Sequence, residues 1–325
     1  MNIAKSLKVA LLGLALYTAI PVGAEAMVNV VTSYPQDASI TSAVGGEYVN
    51  VTSLAKDNND PHAVTPKPSM SVSINRADLL ITNGQDMELA WLATANANAR
   101  NPKVIEGEDN YFDPSEGVSL IAYSKDELKE SPYFSLNLIA GAEKAGGGKV
   151  GLKRGNHHYW LDPANGIIVA HNIANKLAEL DPAHTSQFQA NANKFEMTLN
   201  EKIKVWDADM LPYKGTPVVS YHRDWNYLIE RHGLNLIGYV EPRETIPPSD
   251  SDLKLLVAHI KESKVKLILT STWQNQEIPK DISLKTGAIN VSLPSTVGSR
   301  VGTKDYIDMF DAIYGKLIPA LKAAQ

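Results

Sequence analysis

Cysteine is absent from all 325 positions, which excludes a disulfide, a thiolate metal site and a lipid thioether at a processed N-terminus. Long apolar runs are missing as well. Beyond Ala26 nothing approaches the roughly 18 consecutive apolar residues that a membrane span needs, so no membrane insertion is expected. Positive charge is the scarcer sign, with 31 basic against 36 acidic residues and a net charge of −5. That balance argues against nucleic acid as a partner.

What is present is ordinary for a soluble globular chain, 44% hydrophobic and 21% charged, and long enough for two domains or one large one. The first residues read as a secretory signal. Lys5 and Lys8 form a charged region, Val9 to Ile20 a short apolar one, and Ala24-Glu25-Ala26 a small-residue cleavage site. A mature chain starting near Met27, in the periplasm and monomeric, is the expectation.

Apolar runs alternate with helical periodicity through the rest of the chain. Strands are expected at Val28 to Tyr34, Tyr48 to Leu54, Asp78 to Thr82, Pro102 to Glu106, Thr216 to Tyr221, Asn235 to Val240, Val265 to Thr270 and Ala288 to Leu293. Helices are expected before Gly45, at Met87 to Ala97, from Pro163 to Leu180, from Pro182 to about Met210, at Trp225 to His232, at Pro248 to Glu262 and at Tyr306 to Lys322. Residues 107–155, rich in Asp, Ser, Gly and Pro, suggest no firm element. In the long helix Phe188, Phe195, Leu199, Ile203, Trp206 and Met210 recur at helical steps, so one stripe should be buried along its length. Alternating strands and helices imply an α/β fold of two parallel-sheet lobes flanking that helix: residues 27–181, a linking helix 182–211, and residues 212–325.

Three histidines fall where such strands run into loops: His62 in Asp60-Pro61-His62, His158 in Asn156-His157-His158-Tyr159-Trp160, and His222 in Ser220-Tyr221-His222. Neutral imidazole suits zinc and its first-row neighbours, and three rings meeting at one cleft can hold a divalent ion with a fourth position left over. The spacing is too wide for a local finger, so the fold must bring the rings together; a loop histidine can equally be a solvated one. His171, His184, His232 and His259 lie in or beside helices and read as structural, and His157 is ambiguous. Tyr159, Trp160, Trp225 and Trp273 fit packing better than a ligand pocket. Asp162 before Pro163 reads as a helix N-cap or as a partner supporting the site.

In this order these segments resemble the metal-binding substrate-binding proteins of zinc and manganese ABC transporters, over nearly the whole mature chain. Asp60-Pro61-His62 with Pro66 and Pro68-Ser69 is similar to the family's first ligand loop. Ala77 to Gly84 with Glu88 and Trp91, then His158-x-Trp160-Leu161-Asp162-Pro163, then Ser220 to Trp225 with Tyr227, are similar to the segments that follow. The resemblance implies two α/β lobes joined by a rigid helix, with restricted hinge closure. It also implies His62, His158 and His222 as metal ligands, a divalent metal as cargo (Zn²⁺ ahead of Mn²⁺ or Fe²⁺), and a membrane ABC permease as partner. Two departures bear on the fourth ligand. Ser271 and the run Leu293-Pro294-Ser295-Thr296 stand where the family often carries acids, so water, His157 or a loop carboxylate such as Glu277 are the candidates. A periplasmic metal chaperone without a permease and a zinc-dependent hydrolase are the rival functions; the absence of an H-E-x-x-H helix lowers the hydrolase, and no catalytic activity is expected.

Overall fold

The computed structural model describes residues 27–56, 59–122, 155–241 and 247–325. The expected signal segment and the Gly146-Gly147-Gly148 run lie outside the described residues.

The N-terminal lobe runs β1 (Val28–Thr32), α1 (Pro35–Gly45), β2 (Val49–Ser53), α2 (Pro68–Asn75), β3 (Leu79–Ile81), α3 (Leu92–Ala99) and β4 (Tyr111–Phe112). Two helices follow, α4 (Pro163–Leu180) and α5 (Thr185–Met210). The C-terminal lobe runs β5 (Pro217–Ser220), α6 (Asn226–Arg231), β6 (Asn235–Tyr239), α7 (Asp250–Glu262), β7 (Leu267–Ser271), α8 (Glu277–Thr286), β8 (Ile289–Leu293) and α9 (Tyr306–Ala323). Each lobe holds one four-stranded sheet, ordered β2-β1-β3-β4 and β6-β5-β7-β8, and every pairing is parallel. The two sheets therefore share one topology. In such a sheet the crevice outside the carboxyl ends of the strands is where ligands bind.

Central strands covered on both faces explain the continuous apolar runs: β3 and β7 are buried along their whole length. In β7, Leu267 and Leu269 face the main core while Ile268 faces a second cluster with Val219, Ile260 and Ile282, as the two-residue pleat requires. The main core runs from one lobe to the other through α4, α5 and α9. Its spine is the expected stripe on α5, Phe188, Phe195, Leu199, Ile203, Trp206 and Met210, with Ala192 added. At 26 residues α5 extends about 39 Å. Its start is tighter than expected: Pro182–His184 forms a 3-10 turn before the α-helix begins.

Proline and caps set the helix starts. Pro35, Pro68 and Pro163 occupy first-turn positions. Asp162 Oδ1 accepts from Ala164 N–H at 2.9 Å, and Ser249 and Asp252 form a capping box on α7.

Several local expectations are corrected. Pro102 to Glu106 is not a strand; Asn101 Oδ1 accepts from Lys103 N–H and Pro102–Val104 turns as a 3-10 helix, so the fourth strand is Tyr111–Phe112, in the stretch that suggested no firm element. The helix expected from Met87 starts only at Leu92. Gly84, Gln85 and Asp86 are left-handed, with φ of 74°, 55° and 67°, and this turn delays it. Helices α2 and α8 arise where a loop or nothing was expected; α8 buries little beyond Pro279 and Ile282, so its periodicity is faint.

Candidate metal centre

Two of the histidines follow strands, one from each sheet. His62 lies in the loop after β2, His222 directly follows β5, and His157 and His158 enter α4 through the seam between the lobes. All four are buried. Ring centroids of His62 and His222 are 4.9 Å apart, His62 and His158 5.1 Å, and His158 and His222 5.2 Å. The ring nitrogens of His62, His157 and His158 form the tighter group, one ligand atom from each lying within 4.8 Å of the others. All three singled-out rings thus converge, and His157 stands beside two of them, its ring 5.2 Å from that of His62 and 4.4 Å from that of His158.

A single local device orients two of them. Asp60 Oδ1 accepts from both the backbone N–H and Nδ1–H of His62, at 2.9 and 2.8 Å. Asn156 Oδ1 does the same for His158, at 2.9 and 2.9 Å. In each case an Asx side chain two residues ahead of the histidine closes a turn on it. An oxygen that can only accept places the proton on Nδ1 and leaves the Nε2 lone pair for a metal. His158 Nε2 is buried and has no hydrogen-bond partner among the described residues. His222 obtains the same support from a distance, donating from Nδ1 to Glu241 Oε2 at 2.8 Å beyond the end of β6.

Asn156 also stitches the lobes together. Its Nδ2 donates to the carbonyl of Arg223 at 2.8 Å and its own carbonyl accepts from Tyr227 Oη–H at 2.6 Å. Arg231 adds a second tie, donating to Asp162 at 2.9 Å and to Asp207 on α5 at 2.7 and 3.0 Å. Asp162 therefore caps α4 and anchors an ion pair behind the site.

Burial dominates the electrostatics. It holds His158 well below the usual imidazole range, helped by the neighbouring rings of His157, His62 and His222, so this ring stays neutral. Burial also pushes up on Asp60, but the hydrogen bonds and charge of His62 outweigh it and its carboxyl lies below the ordinary value. Asp224 is raised by burial, against the opposing pull of His222 and Ser271.

The positions that lack the expected acids have other work. Ser271 donates its hydroxyl to Asp224 Oδ2, which also accepts from Gln274 Nε2 at 3.1 Å. Ser295 accepts two indole N–H groups, Trp160 on its carbonyl at 2.8 Å and Trp273 on its hydroxyl at 3.2 Å. Trp160 and Trp225 are core residues as expected. Trp273 instead borders the cleft, its ring 6.1 Å from that of His62. Glu277 is exposed at the start of α8. The cleft measures about 230 Å³ and is walled by Asp60, His62, Tyr221, His222, Glu241 and Trp273 among others. A larger cavity of about 530 Å³ lies beside Glu88 and Asp113 in the N-terminal lobe, but no histidine lines it.

Asp60 was legible as part of a motif. Asn156 was visible only as an Asx two residues before a histidine, and Glu241 carried no local signal at all.

The chain is similar in sequence and fold to known proteins. The family described as "Zinc-uptake complex component A periplasmic" matches residues 30–320. "Metal ABC transporter substrate-binding lipoprotein ScbA" of Streptococcus cristatus is 25% identical over 266 residues, 79% of this chain and 76% of that protein. "Iron-binding protein YfeA" of Yersinia pestis is 24% identical, over 80% and 74% respectively. Among solved structures, "Crystal structure of ZnuA" superposes with a TM-score of 0.70 at 23% identity, covering 92% of this chain and 98% of that one.

Proposed function

The chain belongs to the family of periplasmic zinc-uptake component A proteins, the substrate-binding components of metal ABC transporters, and from that premise we propose that it captures Zn²⁺ between its lobes and delivers it to a membrane permease. In this reading His62, His158 and His222 are the ligands, the protein works as a periplasmic monomer, and the lobes divide at residues 182 and 211. The observation that carries it is the convergence of three imidazoles from three distant segments, each with Nδ1 hydrogen-bonded to an oxygen. Nitrogen donors without a carboxylate suit zinc better than manganese.

A neutral ring is ready to coordinate without first shedding a proton, and burial keeps His158 in that state. His62 belongs to the N-terminal lobe and His222 to the C-terminal lobe, so separating the lobes would withdraw a ligand and free the cargo. The long packing of α5 against α4, and the Asn156 and Arg231 ties, favour a small separation.

A second reading of the cargo comes from relatives whose names specify other metals, manganese for PsaA of Streptococcus pneumoniae and iron for YfeA. Metal-free protein challenged with Zn²⁺, Mn²⁺ and Fe²⁺ in competition decides between them. One zinc per chain, with a melting temperature that rises with free zinc, is the expected result. Preferential uptake of Mn²⁺ or Fe²⁺ would replace zinc, and no saturable uptake of any of the three would end the proposal. Growth of zinc-starved cells that requires both this protein and the permease is expected; transfer to an apo-protein without any permease would indicate a chaperone instead.

A further inference from the structure

We infer that His157 is the fourth metal ligand, completing a shell of four imidazoles in the place where a carboxylate would complete it, and that this shell discriminates against Mn²⁺. The inference rests on the metal-capture reading above and deepens it.

Geometry carries the first step. His157 Nε2 lies 3.1 Å from His62 Nε2. A tetrahedral zinc with bonds of ~2.0–2.1 Å holds its nitrogens about 3.3 Å apart, so the two rings already stand at nearly the separation of an occupied site. His158 completes the group within 4.8 Å. His157 is presented there by a fixed backbone: its carbonyl accepts from Asn83 Nδ2 at 3.0 Å. Asn83 in turn is pinned through its N–H to Glu88 Oε1 at 2.6 Å and through its carbonyl to Tyr159 Oη–H at 2.8 Å.

Elimination carries the second. Among the described residues each carboxylate bordering the cleft has an oxygen taken by a neighbour. Asp60 and Glu241 accept from Nδ1 of His62 and His222, and Asp224 accepts from Ser271 and Gln274 behind the site. Glu277 is exposed on α8. The nitrogen that already stands 3.1 Å from His62 Nε2 is the donor this arrangement favours for the fourth place. Manganese, which favours oxygen donors, gains least from such a shell, while zinc gains most among the three candidate metals.

The same 3.1 Å contact would also suit a His157 that merely hydrogen-bonds and orients His62, and the test separates the two roles. X-ray absorption on the zinc-loaded full chain should count four imidazoles, and His157→Gln should lose one. Loss of a partner that only orients a ligand costs roughly 10–100-fold in affinity; His157→Gln should exceed about 100-fold in a zinc competition titration. An imidazole count that is the same in wild type and His157→Gln would overturn the inference, whatever the affinity. His157→Asp should shift the Zn²⁺-to-Mn²⁺ preference toward manganese, and an unmoved ratio would refute the selectivity. Zinc held by three imidazoles in both proteins sinks only this inference, whereas a wild type that takes up no metal sinks the proposed function.

Discussion

Asp60 offers the most direct test of how the site is built. Its Oδ1 accepts two hydrogen bonds from one residue, the His62 backbone N–H and the His62 Nδ1–H. Asp60→Ala removes both. At ~0.5–1.5 kcal/mol net per bond, the ordered His62 loses about 1–3 kcal/mol of support. A second route to the magnitude agrees: removing the oxygen that orients a ligating histidine costs roughly 10–100-fold in metal affinity, which is about 1.4–2.7 kcal/mol. Asp60 is 35% exposed on its side chain, so the lower half of that range is expected. Asp60→Asn keeps an acceptor in the same place and loses only the charge; charge-assisted bonds are roughly twice as strong as neutral ones, so it should fall between wild type and Asp60→Ala. The assay is a zinc titration against a chromophoric chelator at fixed pH, with melting of the metal-free proteins run alongside to separate affinity from stability. Asp60→Ala binding zinc within about threefold of wild type, well below the lower bound of that range, would refute the claim that the Asx turn positions the ring.

Acid should destabilise the metal-free protein through His232. Burial depresses this ring to about 4, against the raising influence of Asp207, while its Nε2 meets Tyr314 Oη at 2.8 Å. A depressed histidine stays neutral in the fold while the unfolded chain takes a proton, so stability is lost as pH falls from about 6.5 toward 4, by roughly 3 kcal/mol. His232→Gln should flatten that limb in urea unfolding measured across pH, and an unchanged pH slope would contradict the assignment. Gly166→Ala should destabilise by about 1–3 kcal/mol, because its added Cβ would lie 2.4 Å from Tyr306 Cε1, on a ring fixed by its hydroxyl to the Trp160 carbonyl. Chemical denaturation of that variant should show a lowered midpoint at unchanged slope.

Much of the fold was legible from local pattern. Parallel strands buried on both faces announce themselves as apolar runs, and α5 declared its buried stripe from Phe188 to Met210 because helical periodicity is a short-range property. The errors fell where a local competitor acts: left-handed residues at 84–86 delayed α3, and the Asn101 turn displaced a strand. Part of the centre was equally local. An acceptor two residues ahead of a histidine lies within reach of a single turn, so the pairs Asp60–His62 and Asn156–His158 were already written in the chain. What only the tertiary structure decided depends on strand order and on the seam between the lobes: that Glu241 from the end of β6 supports His222 after β5, that Asp224 takes the hydroxyl of Ser271, and that His157 meets His62. These contacts join residues set side by side by strand order within one sheet and by packing at the seam between the lobes, and no spacing along the backbone encodes them.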